Sequence, residues 1–70
     1  MTTVFPDMGK VKLTMYQKGW SWSELARRSG LSLSTMFSLQ SKRRKASERT
    51  MYKLAAALDV SPADIVEKEN

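Results

Sequence analysis

The chain has 70 residues, with twelve Lys and Arg against seven Asp and Glu, a net charge of +5, and neither cysteine nor histidine. A chain of that length makes one domain and buries only about 60% of its unfolded surface. The missing residue types rule out disulfides and thiolate metal sites, and they remove the commonest general base and metal ligand.

The charge is uneven. Residues 1–58 hold eleven basic side chains against Asp7, Glu24 and Glu48, a balance of +8; residues 59–70 hold Lys68 against Asp59, Asp64, Glu67 and Glu69, a balance of −3. A basic body favours an anionic polymer as partner. No stretch approaches the ~18 apolar residues of a membrane span. The start, MTTVFPDMGK, lacks the basic opening and apolar core of a signal peptide. A soluble cytoplasmic protein without metal or cofactor is therefore expected.

One helix-start signal recurs along the chain. Asp7 with Val11 opens a first helix after Pro6, expected over 8–18, with Val11 and Met15 on its inner side. Ser21 with Glu24 three residues on predicts a capping box, and Trp20 before it can staple to Leu25. The second helix is expected over 22–29. The layout returns at Leu31, Ser32 and Met36, for a third helix over 33–41. Ser47 with Met51 is a weaker copy and opens a fourth over 48–58, whose Met51, Leu54, Ala55 and Leu58 form one apolar stripe. Val60, Ser61, Pro62 and Ile65 open a fifth over 62–67. Gly19 and Gly30 stand where left-handed cap residues belong.

No alternating run argues for strands. The expected fold is all-α, a compact bundle of five short helices in a single domain. Residues 1–7 are a possible arm, with Thr2 to Phe5 able to dock on a neighbouring chain. Residues 68–70 form a tail expected to fray from about Glu67. One of Ile65 and Val66 is expected on the surface, as part of a self-complementary dimer patch.

The second and third helices are two turns each and joined by SGLS, the layout of a helix-turn-helix. From Gly19 to about Glu67 the sequence resembles the Cro/repressor-type (Xre-like) helix-turn-helix family. The residues that carry the resemblance are Gly19, Ser21, Leu25, Ala26, Gly30, Leu31, Ser32, Met36 and Leu39, then Leu54, Ala55, Leu58, Val60, Ser61 and Ile65. The resemblance implies a lambda-repressor-like five-helix domain whose third helix reads double-stranded DNA in the major groove, usually as a homodimer. Three positions depart from the family pattern. Trp22 and Leu33 stand where the family often has glutamine, or at Leu33 arginine, and Ala46 replaces a usual proline. The first two depart from the common base-contact pattern; none bears on the fold.

Helical angles orient the third helix without the family. With Met36 and Leu39 inward, the opposite face holds Ser34, Phe37, Ser38 and Ser41, and Leu33 lies at its edge. This face has no charge. It offers hydroxyls for base edges and apolar atoms for thymine methyls, so Leu33, Ser34, Phe37 and Ser38 are the candidate base contacts. Three readings of Phe37 stand: packing back on the first helix or Trp22, contact with DNA, or contact with a protein partner or second copy.

The run Lys42, Arg43, Arg44 and Lys45 follows directly and is expected to clamp phosphates. Trp22, Thr35 and Ser41 join it as phosphate-side candidates, although Trp22 can equally shield Phe37. Arg49 and Lys53 extend the run, whereas Arg27 and Arg28 read better as solvated face. Neutralising about 5 phosphates would give a log K against log salt slope near −4.5. With scattered acids and no glycine-rich phosphate loop, no enzyme is expected. The leading expectation is a phage or mobile-element repressor. The alternative is a protein-interaction module, antitoxin or antirepressor, that grips a partner through Leu33 and Phe37.

Overall fold

The computed structural model describes residues 3–67. A two-residue strand β1 (Thr3–Val4) leads into helices α1 (Met8–Gln17), α2 (Trp22–Ser29) and α3 (Leu33–Gln40). A second short strand β2 (Ala46–Ser47), helix α4 (Glu48–Leu58) and a 3-10 turn (Pro62–Asp64) follow. Helix α4 is the central element and packs on α2, α1, β2 and the 3-10 turn.

Each helix starts where a short polar side chain can accept from the backbone three residues on. Asp7 accepts from the Lys10 N–H at 3.2 Å, Ser21 from Glu24 at 3.3 Å, Ser32 from Thr35 at 3.0 Å and Ser47 from Thr50 at 3.2 Å. Each bond satisfies a donor that the first turn leaves without a partner. The box at Ser21 is only half made, because the Glu24 carboxylate turns to Arg27 and Arg28 instead. The complete capping box lies at Ser61, where Asp64 also accepts from the Ser61 N–H at 3.1 Å.

The helix ends share one geometry, in which two backbone N–H groups reach back to the last-turn carbonyls. It occurs at Gly19, Gly30, Lys42 and Asp59, all left-handed, with φ of 73°, 74°, 59° and 59°. Glycine adopts that conformation freely, and a side chain there costs about 1–2 kcal/mol. Asp59→Gly is therefore expected to stabilise the fold by up to about 1 kcal/mol, after the extra entropy of glycine in the unfolded chain. Denaturant unfolding should show a higher midpoint with an unchanged slope. A lower midpoint would mean that the Asp59 side chain has a stabilising partner.

The core consists of Val11 and Met15 of α1, Leu25 and Ala26 of α2, and Met36 and Leu39 of α3, with Ala46, Met51, Leu54, Ala55, Leu58 and Ile65. Every apolar stripe expected from periodicity is buried.

The expected fifth helix over 62–67 does not form. Its first turn is 3-10, and then Ile65 leaves helical geometry at φ −122°. The cause is tertiary. The Asp7 N–H donates to the Ile65 carbonyl at 2.7 Å, and the Glu67 N–H donates to the Phe5 carbonyl at 2.8 Å. These bonds use backbone groups that a continuing helix would need. Strands were not expected either, yet Thr3 pairs with Ser47 and Val4 with Ala46, antiparallel. Four helices and a short strand pair thus replace the five-helix bundle.

Over residues 3–7, the segment read as a possible arm is paired within its own chain. Its first two residues and the tail at 68–70 lie outside the described residues. Of Ile65 and Val66, Ile65 is 1% exposed, whereas Val66 is half-buried and keeps part of its surface in an open apolar depression.

Candidate nucleic-acid interface

Helix α3 is carried by the short turn after α2. Gly30 takes the left-handed cap, and the Leu31 N–H returns to the Ala26 carbonyl at 3.0 Å. Met36 and Leu39 then anchor α3 in the core, so the opposite side faces out.

That outward side matches the angular reading. Phe37 is 53% exposed and Leu33 38%, and Ser34 is exposed beside them while Ser38 is half-buried. Leu33, Ser34, Phe37, Ser38, Ser41 and Arg43 line one open depression of about 520 Å³. All four candidate base contacts share one surface, and one cation of the basic run joins them. Phe37 stands out from the fold rather than completing the core. Among the described residues, the Ser34 and Ser38 hydroxyls hold no side-chain hydrogen bond within the chain. They are therefore available to a partner.

The phosphate-side candidates divide. The Ser41 hydroxyl donates back to the Phe37 carbonyl at 3.0 Å, which uses its proton inside the helix end. Thr35 accepts from the Ser32 hydroxyl at 2.8 Å, which leaves its own proton available. Trp22 is half-buried and packs against the core. Arg43 faces the α3 depression, and Arg44 is exposed with no ion-pair partner among the described residues. Lys42 reaches the other way, with its ammonium 2.9 and 3.1 Å from the two Glu67 carboxylate oxygens. The Lys45 ammonium lies 5.4 Å from the centre of the Phe5 ring. The KRRK run thus divides: Arg43 borders α3, Lys42 and Lys45 lie by Phe5, and Arg44 is exposed.

On α2, the Arg27 guanidinium bonds to Glu24 and holds that carboxyl below its ordinary pKa, and Arg28 adds to the effect. This exposed pairing is present at neutral pH and is lost as acid protonates Glu24. Arg28 also stacks 4.3 Å from the centre of the Trp20 ring, and the Lys18 ammonium lies 5.4 Å from it. Trp20 packs against the core but is only half-buried. Both α2 arginines already have partners within the fold, in keeping with a solvated face.

Sequence reasoning missed Phe5 and Glu67 as neighbours of the basic run. Neither carries a local signal, because Glu67 meets Lys42 across 25 residues. It also missed an apolar depression of about 410 Å³ lined by Val4, Glu48, Met51, Tyr52, Pro62 and Val66. Among the described residues, no group of acidic side chains could hold a metal ion, and no helix is long and apolar enough to cross a membrane.

A helix-turn-helix family model matches residues 12–65. Among solved structures, the chain is similar to a hypothetical transcription factor, NHTF, from Neisseria, at 35% identity and a TM-score of 0.73. That match covers 77% of this chain and 61% of the other, so the chain spans less than two thirds of that relative. The chain is also similar to SinR, the master regulator for biofilm formation, solved in complex with DNA, at 33% identity and a TM-score of 0.70 over 77% of this chain and 87% of that one; SinR comes from Bacillus subtilis. The restriction-modification controller protein C.AhdI from Aeromonas hydrophila is 33% identical, with a TM-score of 0.71 over 79% of this chain and 83% of that one. No curated protein matches the chain significantly.

Proposed function

The chain belongs to the Xre-like helix-turn-helix family, and on that premise we propose that it is a transcriptional regulator that binds a specific double-stranded DNA site. The observation that carries this reading is the single outward surface of α3, where Leu33, Ser34, Phe37 and Ser38 meet Arg43. In this reading α3 enters the major groove. Ser34 and Ser38 bond to base edges, and Leu33 and Phe37 meet thymine methyls. Arg43, Arg44 and Lys45 take phosphates as the chain leaves the groove, and Trp22, Thr35 and Ser41 border the backbone.

DNA half-sites related by a two-fold axis call for two copies. The apolar depression around Val4, Tyr52 and Val66 is the surface we assign to that contact, because Tyr52 is 68% exposed there. Within that class we favour a repressor of a phage or mobile element, working in the bacterial cytoplasm, on a chain whose net charge of +5 suits DNA.

Similarity to a SinR–DNA complex supports DNA as the partner. Selection of bound sequences from random duplex DNA tests the proposal. The expected result is an enriched inverted repeat, with log K falling against log salt at a slope near −4.5 for about 5 phosphates. Absence of enrichment, with a slope near zero, would sink it.

The exposure of Leu33 and Phe37 favours one second reading, a protein-interaction module on the same fold. It requires that partner binding collapse in Phe37→Ala and ignore the arginines of the loop.

A further inference from the structure

The N-terminal segment ties two distant parts of the chain together. On one side, β1 pairs with β2, directly after the basic run. On the other, residues 5–7 run against 65–67 through the bonds Asp7 N–H to Ile65 and Glu67 N–H to Phe5, with Pro6 bridged to Val66 between them. The backbone of Glu67 is therefore positioned by pairing and does not depend on its side chain.

Its carboxylate meets a cation site that the loop has built. The Lys42 ammonium bonds to both Glu67 oxygens, at 2.9 and 3.1 Å, and lies 5.6 Å from the centre of the Phe5 ring. The Lys45 ammonium lies 5.4 Å from the centre of the same ring. Phe5, Lys45 and Glu67 line one small depression of about 250 Å³. Two lysines of the basic run thus converge on one ring, and one of them, Lys42, also pairs with Glu67. Lys42 also holds a left-handed backbone, φ 59°, which is uncommon for a residue with a side chain.

We infer that the Glu67 carboxylate is an internal stand-in for a DNA phosphate, held by Lys42 beside Lys45, and that DNA must displace it to recruit Lys42. The inference rests on the DNA-binding reading above. A carboxylate and a phosphate offer an ammonium the same thing, an anionic oxygen acceptor. The Lys42 and Glu67 side chains are 58% and 41% exposed, and pairs in such water-rich settings exchange readily. The exchange subtracts from the sequence-independent part of binding, which depends on the number of phosphates neutralised. Glu67 therefore lowers affinity for DNA in general and leaves the α3 reading surface alone.

Glu67→Gln tests this, since glutamine keeps the size and the backbone bond to Phe5. Binding to a short fluorescent duplex of mixed sequence is measured between about 0.05 and 0.2 M salt. Glu67→Gln should tighten binding about 5-fold, the most that releasing an exposed ion pair gives, with the salt slope unchanged because Lys42 takes a phosphate in both proteins. In a Lys42→Met background the same change should have no effect. Asp59→Asn adds the same unit of charge elsewhere and should change binding less than about 2-fold, as expected for screened distant charges. Unchanged affinity in Glu67→Gln overturns the inference, as does an equal gain in Asp59→Asn or a gain that survives Lys42→Met. Wild-type protein with no salt-dependent binding at all would instead overturn the DNA reading itself. Thermal melting of each variant within a few degrees of wild type confirms that the fold is retained.

Discussion

Leu54→Ala is expected to remove about half of this protein's stability. Leu54 is fully buried on α4, the helix against which α1, α2, β2 and the 3-10 turn all pack. Truncating such a leucine costs about 2–5 kcal/mol, from lost transfer energy and the cavity left behind. At roughly 0.05–0.15 kcal/mol per residue, a domain of this size has only about 3.5–10 kcal/mol to lose. Each kcal/mol moves the midpoint by about 4–8 °C in small domains, so thermal melting followed by circular dichroism should fall by at least about 10 °C. Leu13→Ala is the control. It removes the same atoms from a side chain that is 61% exposed on α1 and should stay within about 0.5 kcal/mol of wild type. Equal effects of the two changes would refute the assigned core.

The second large effect is on binding. Replacing Arg43 and Arg44 together by alanine removes two of the three cations of the loop that make no ion pair among the described residues. Each neutralised phosphate contributes about 0.9 to the salt slope, so the double variant should fall from near −4.5 to near −2.7. At about 0.15 M salt the same relation gives a loss on the order of 30-fold in affinity. The loss should be nearly uniform across DNA sequences, since phosphate contacts carry no base information. A loss confined to one preferred sequence would place Arg43 on a base edge instead, a result its position beside Ser34 and Ser38 makes informative. Both arginines are exposed, so melting should be unaffected.

Much of the fold is legible along the chain because it is made locally. The caps at Asp7, Ser21, Ser32, Ser47 and Ser61 each bond two or three residues ahead. Residues at that separation are already neighbours in any helical turn. Gly19 and Gly30 mark helix ends for the same reason. Lys42 and Asp59 adopt the identical cap without glycine, so their helix ends carry no such mark. The outward face of α3 follows from two buried positions and a fixed angular step, and its serines, Leu33 and Phe37 lie where that step puts them.

The errors share one origin. At Ser61 the start signal is genuine and its capping box is complete, but the helix behind it is cut short by pairing of 65–67 with 5–7. Two-residue strands are too short to show an alternating pattern, so β1 and β2 left no trace to read. Glu24 has the spacing of a capping-box acid, yet two arginines on its own helix outbid the Ser21 N–H, because charged donors bond a carboxylate more strongly than a neutral amide.

The sequence by itself determined the family, four helices with their starts, the buried stripes and which side of α3 faces out. Periodicity and capping act over three or four residues, where chain connectivity already enforces proximity. Only the tertiary structure decided that residues 3–4 form a strand, that 65–67 do not continue a helix, and that Arg43 joins the reading face while Lys42 turns to Glu67. Those outcomes depend on contacts between segments far apart in sequence, such as Val4 with Ala46 and Lys42 with Glu67. Such contacts form only once the core has brought the segments together, so no local pattern can announce them.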